Sequence, residues 1–246
     1  GLVASVVPWV QQTPTGSLQS TGAVMTAAGQ ITGLIAGYLL LVQVLLMSRL
    51  RVLERLIGTE QIARWHRDIG VTLLVAVVLH SALIVVGYAG LDQASLLDEV
   101  NLLWNNYEGL PSAFIATGIL VFIGLTSVRA ARKAMPYEFW HLLHLSSYAA
   151  LLLGFGHQFA NGQQLFQPGL NRNFWIGMYV LVLVSLVWGR LIAPLRVSSA
   201  AASSSISPGS KRPPGRFQML KSSRRESNTR RSESITAQFI PRRKNF

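Results

Sequence analysis

The sequence predicts an all-α, polytopic membrane helix bundle, and three observations carry that prediction. Half of the 246 residues are hydrophobic and only 13% are charged, where a soluble domain carries about 25%; mean hydropathy is +0.37. The apolar residues gather into runs of about 20, the length that crosses a bilayer as a helix. Charge is segregated between the runs: basic residues follow the first, third and fifth, and acidic residues follow the second.

Residues 1–28 are of mixed composition. Leu2 to Val10 is too short to span, and Gly1 stands where a start Met is expected, so this outer segment reads as the end of a cut helix. The first full span runs from about Gln30 to Ser48, followed by a charged turn, Arg49 to Arg64, with Arg51, Glu54 and Arg55. The second covers about His66 to Tyr88. Residues 90–111 hold Asp92, Asp98, Glu99 and Glu108 and no Lys or Arg; their mixture of apolar and acidic residues suits a cap over the outer face. The third span, about Pro111 to Val128, ends in Arg129, Arg132 and Lys133. Pro136 interrupts the chain before the fourth, Tyr137 to Phe159. A polar loop with Asn161, Gln163 and Gln164 leads to the fifth, Asn173 to Ile192, which ends at Arg190, Pro194 and Arg196. The positive-inside rule places residues 49–65, 129–136 and the C-terminal tail in the cytoplasm of a multi-pass plasma-membrane protein.

The net charge of +12 is concentrated in that tail. From Ser198 to Phe246 there are eleven Lys/Arg and two Glu, so +9 resides there. Its Ser- and Pro-rich composition cannot bury a core and predicts disorder. The pI of about 11.1 is met by anionic lipid at the membrane surface; no nucleic-acid partner is expected, because no binding fold accompanies the charge. The absence of cysteine excludes disulfides, thiolate-bound zinc, iron–sulfur clusters and cysteine catalysis. No span carries an ion pair or carboxylate suited to a transport pathway, which argues against a channel or transporter.

Four of the five histidines form two intervals on two apolar runs. His66 and His80 are 14 residues apart, His144 and His157 are 13 apart, or roughly 21 and 19.5 Å along a helix. A hydrocarbon core is about 30 Å thick, so each run carries one histidine toward either side. The charge-derived topology sets His66 and His144 near the cytoplasmic side and His80 and His157 near the outer side. Zinc needs ligands converging on one ion at about 2 Å, which pairs separated by some 20 Å cannot supply. Axial ligation of haem iron suits them, giving two stacked haems as an electron path across the bilayer. Packing or interfacial histidines are the simpler reading of any one of the four alone. No general base or nucleophile is required for such a path, and none is apparent. One phase relation resists: 14 residues return His80 to within about 40° of His66, but 13 leave His157 about 140° from His144. The fourth span must therefore bend or unwind, most cheaply at Gly154 and Gly156. His141, one turn before His144, is the alternative ligand, though its spacing of 16 is no better in phase.

Other residues admit two readings each. Arg64 and Arg67 flank His66 and suit either haem propionates or the basic cytoplasmic turn. Gly33 and Gly37 form a GxxxG for close helix packing or homodimerisation. Gly70 suits approach of a haem edge or an ordinary helix contact. Trp65, Trp104, Trp140, Trp175 and Trp188 fit an interfacial aromatic belt, with an electron-relay role for Trp140 or Phe155 as the other use.

The segments ArgTrpHisArgAspIleGly (64–70), leading to His80, and TyrGluPheTrpHisLeuLeuHisLeu (137–145), leading to His157, resemble the ferric reductase-like transmembrane domain shared by NADPH oxidases, ferric reductases and bacterial relatives, and most of all the actinobacterial flavohaem oxidoreductases. The resemblance covers about residues 29–197. It implies a six-helix bundle holding two b-type haems, with His66 and His144 on the inner haem, His80 and His157 on the outer, and His141 as the extra histidine ahead of the inner ligand. Electrons would pass from a cytoplasmic flavin/NAD(P)H donor to an outer acceptor. Relatives of this kind continue into flavin- and nicotinamide-binding domains. Here the chain after Val197 has no GxGxxG, and 49 residues are too few for two domains. The abrupt change reads as a truncated or frameshifted end, and FAD and NAD(P)H would act only through a missing domain or a partner. Two further functions stay open: a stand-alone haem subunit fed by a separate flavin reductase, as in bacterial methionine-sulfoxide repair, and a non-redox membrane scaffold or inactive fragment.

Overall fold

A computed structural model describes residues 1–162, 169–193 and 195. They belong to the first of two compact units, Gly1–Arg196. Gln163, Gln164, Pro194, Arg196 and the expected tail at 198–246 lie outside the described residues. The described residues form helices and turns without a strand: α1 (Leu2–Gln12), α2 (Thr21–Leu46), α3 (Arg51–Ile57), α4 (Thr59–Asp92), α5 (Leu96–Asn106), α6 (Leu110–Ser127), α7 (Arg129–Lys133), α8 (Tyr137–Leu145), α9 (Ser147–Asn161) and α10 (Leu170–Val187).

Four helices are long and apolar enough to cross a membrane: α2, α4, α6 and the stretch Leu170–Arg190 that α10 begins. The expected fourth span is not one helix. It is divided at Ser146 into α8 and α9, each shorter than a membrane crossing. The first span also begins earlier than its hydropathy indicated. Ser20 caps α2, its side chain accepting from the Ala23 N–H at 3.1 Å, so residues 21–28 are helical and the 1–28 boundary does not mark a structural break. A capping serine satisfies an orphan amide and fixes where the helix starts.

α2 and α4 are the antiparallel spine. A Cβ on Gly22 would lie 2.8 Å from the Gly87 carbonyl, and one on Gly29 would lie 2.9 Å from the Ile84 side chain, so these backbones approach as only glycine permits. Between them sits an apolar cluster of Ala36, Leu40, Leu73, Ala76 and Val77. α6 packs on α4 and α9, and α10 packs on α2. Trp175 of α10 is fully buried with Leu41, Val44 and Val182; it is a core residue and not part of an aromatic belt. Trp65, Trp104 and Trp188 are partly exposed, as a belt requires. The outward face of α4 presents Val71, Val75, Val78, Leu79 and Val86. Such a face suits hydrocarbon, in which helices satisfy their own backbone. The molecule is therefore an all-α polytopic membrane bundle.

Helix directions alternate so that residues 49–58 and 128–136 lie toward the same end, where the Arg190 guanidinium donates to the Met47 carbonyl at 2.9 Å. Residues 90–109 occupy the opposite end. We refer to these as the basic and acidic ends. The acidic segment is not an irregular cap. It holds α5, capped by Ser95 and amphipathic, with Glu99 and Leu103 on its buried face.

Candidate functional site

The structure brings the four histidines of the two intervals together as two pairs. The His66 and His144 rings lie 6.0 Å apart, centre to centre, toward the basic end. The His80 and His157 rings lie 6.4 Å apart toward the acidic end. Both pairs join α4 to the α8–α9 segment, and all four residues are half-buried. His141 joins neither pair; it is exposed and stacks on Tyr137 at 5.8 Å.

The helical phase difference is resolved at Ser146, not at Gly154 or Gly156, which lie inside the continuous α9. At Ser146 the backbone N–H and the hydroxyl both bond to the Leu143 carbonyl, at 3.1 and 2.6 Å. A serine hydroxyl competing for a backbone carbonyl is a known cause of helix bending. The bend follows directly after His144 and re-aims everything up to His157.

Around His80 the geometry fixes the tautomer. Its Nδ1 lies 2.7 Å from the Gly29 carbonyl oxygen. A carbonyl only accepts, so Nδ1 carries the proton and the Nε2 lone pair is left free for a ligand. Gly33 makes this possible, because a Cβ there would sit 2.6 Å from the same Nδ1. The GxxxG at Gly33 and Gly37 thus serves close packing, with one glycine facing the imidazole. On the opposite ring, Asn161 Nδ2 lies 3.4 Å from His157 Nδ1 and donates to the Glu108 carbonyl at 2.6 Å, tying α9 to the turn before α6.

His80 and His157 face a cavity of about 600 Å³, also lined by Gly37, Leu103, Tyr107 and Gln158. Its size is that of a cofactor or small-ligand site, and its lining is mostly apolar with a few polar groups, as such sites are. Tyr179 donates to Gln158 Oε1 at 2.8 Å and Trp9 Nε1 donates to Gln30 Oε1 at 2.8 Å, so these polar side chains on its wall are held in place.

At the other pair, Nδ1 of His66 and of His144 is buried with no hydrogen-bond partner among the described residues. Gln43 Nε2 donates to the His66 carbonyl at 2.7 Å and lies where a Cβ on Gly70 would come within 2.8 Å, so Gly70 serves a helix contact. Trp140 stacks on His144 at 5.0 Å, and the Arg132 guanidinium lies 4.4 Å over the Trp140 ring. Arg67 is paired with Asp68 at 3.1 Å, both well exposed, and Arg64 is exposed.

Two facing imidazoles can share one metal ion between them. A bond of about 2 Å on each side, with half a ring beyond each nitrogen, separates ring centres by roughly 6 Å, which is the spacing of both pairs. Among the described residues no group of three or more His, Cys, Asp or Glu could hold a bare ion. Two imidazoles per site therefore fit a metal whose remaining ligands come with a macrocycle, and the cavity beside His80 and His157 offers the room.

Sequence reasoning missed the Gly29 carbonyl, Gln43 and the cavity-lining Leu103 of α5. A run of glycines at 29, 33 and 37, in phase on one helix, was the available signal for the first.

Comparison with known proteins gives one family. The ferric reductase like transmembrane component family matches residues 32–155, half of the chain. The matched stretch contains His66, His80 and His144, and ends two residues before His157. No curated protein and no solved structure matches.

Proposed function

Because the chain belongs to the ferric reductase-like transmembrane family, we propose that it carries electrons across a membrane by way of two b-type haems, one held by His66 and His144 and the other by His80 and His157. The observation that carries this reading is the pair of ring separations, 6.0 and 6.4 Å, on the same two segments at opposite depths. Haem iron supplies the one-electron chemistry; the protein sets ligation, burial and spacing. His80 is pre-oriented by the Gly29 carbonyl, a contact of the kind that fixes ring orientation and basicity at metal sites. Arg64 and Arg67 lie at the basic end, where the propionates of the nearer haem would be met by cations. Orientation by the positive-inside rule makes the basic end cytoplasmic. Electrons then enter from a flavin/NAD(P)H donor carried by a partner or another domain, and leave at the acidic end toward an outer acceptor.

The test is haem content. The chain is expressed in membranes with haem supplied, and the reduced-minus-oxidised spectrum and haemochrome yield per polypeptide are measured. About two b-type haems are expected, falling to about one in His80→Ala. A properly inserted protein without haem overturns the reading and leaves a scaffold.

A further inference from the structure

Glu99 is the most unusual ionisable group among the described residues. It lies on α5, fully buried, and neither carboxylate oxygen has a hydrogen-bond partner among the described residues. Burying a carboxylate without a partner is costly and favours its protonated form. Leu103, one turn further along the same buried face, is also fully buried and lines the cavity shared by His80 and His157. Tyr88 and Tyr107, ring centres 6.5 Å apart, line that cavity too, and Tyr88 is within electrostatic reach of Glu99.

Among the described residues the surroundings supply no compensating cation. α5 packs against α4 and α6. From α4, Tyr88 and Asp92 face Glu99; α6 has no ionisable residue; α5 itself adds Asp98, and the following turn Tyr107 and Glu108. Burial first, and the Asp92 carboxylate second, raise Glu99 above the ordinary carboxylate range.

We propose that Glu99 is a redox-linked proton site, binding a proton when an electron arrives at the His80–His157 site and releasing it when the electron leaves. The step balances: one electron is gained at the site, one proton is taken from solvent at the acidic end, an O–H bond forms on the Glu99 carboxylate, and the buried charge is unchanged. An added negative charge in a poorly screened interior favours the protonated neighbour. This inference rests on the electron-transfer reading above.

The test is a potentiometric titration of both haems across a range of pH, in wild type and Glu99→Gln. In wild type the potential of the acidic-end haem should fall as pH rises above the carboxyl's own range, while the basic-end haem changes less. In Glu99→Gln that slope should be lost with haem content unchanged. A wild-type potential that does not vary with pH, or an equal slope in both proteins, overturns the proposal. A second measurement needs no haem: infrared difference spectra of the membrane-inserted protein across the same pH range. A protonated-acid carbonyl band that persists above the ordinary carboxylate range and vanishes in Glu99→Gln supports the site. Absence of the band overturns it. If no haem binds, the function fails separately, and the infrared result still decides the state of Glu99.

Discussion

At the scale of single residues, what distinguishes a ligand from a packed histidine is what holds its other nitrogen. The His80 ring is oriented by a backbone carbonyl that no sequence pattern displays, since Gly29 contributes its oxygen and not its side chain. Gly33 contributes an absence of side chain. A methyl group placed there would lie 2.6 Å from His80 Nδ1, and the ring cannot yield without breaking its bond to Gly29. Gly33→Ala should therefore lower the haemochrome yield from about two to about one per chain while leaving helix content intact. Gly118→Ala is the matched control, because nothing lies within 4 Å of its Cβ position. It should keep both haems and gain up to about 1 kcal/mol of helix propensity. Equal haem loss in both variants would mean that the effect is general to the bundle and not specific to His80.

At the scale of elements, the positions of the helices were legible because apolar runs of about 20 residues admit few other structures. Their interruptions were not. Pro136 announced a break before α8, but the break at Ser146 comes from one hydroxyl and one amide sharing the Leu143 carbonyl, and serine is common inside membrane helices. The mismatch between spacings of 14 and 13 was the only trace of it: the phase demanded a distortion, and glycine was the wrong place to look. Likewise the acidic segment gave its charge but not its helix, since Glu99 at a buried position breaks the polar-out pattern that would have revealed α5. The bend has a testable consequence. One alanine inserted between Ser146 and Ser147 turns α9 by about 100° and advances it about 1.5 Å, carrying His157 away from His80 while His144 stays beside His66. One haem of two should be lost, and it should be the one whose spectrum His80→Ala also removes. An insertion after Asn161, beyond both pairs, should leave two. Retention of both haems after the first insertion would show that the turn absorbs the extra residue and does not set the register.

At the scale of the whole molecule, direction is the property on which the proposed electron path depends, and it rests on charge. Basic residues at 49–64 and 129–133 occupy one end of the bundle, and residues 90–109 with their four carboxylates and no cation occupy the other. Translocation favours leaving Lys and Arg on the cytoplasmic side, which under the proposed function sets the His66–His144 pair nearer the proposed donor. The chain has no cysteine, so single cysteines report without a background to remove. Leu97 on α5 is 83% exposed and Leu56 on α3 is 78% exposed, so both accept a label without disturbing packing. In intact cells a membrane-impermeant thiol reagent should modify Leu97→Cys, and should reach Leu56→Cys only after permeabilisation. The opposite pattern would reverse the bundle in the membrane, place Glu99 and the cavity beside His80 and His157 on the donor side, and turn the proposed electron path around with them. Labelling of both sites in intact cells would break the bundle's alternation itself, since helices that run antiparallel in contact cannot present both ends to one compartment.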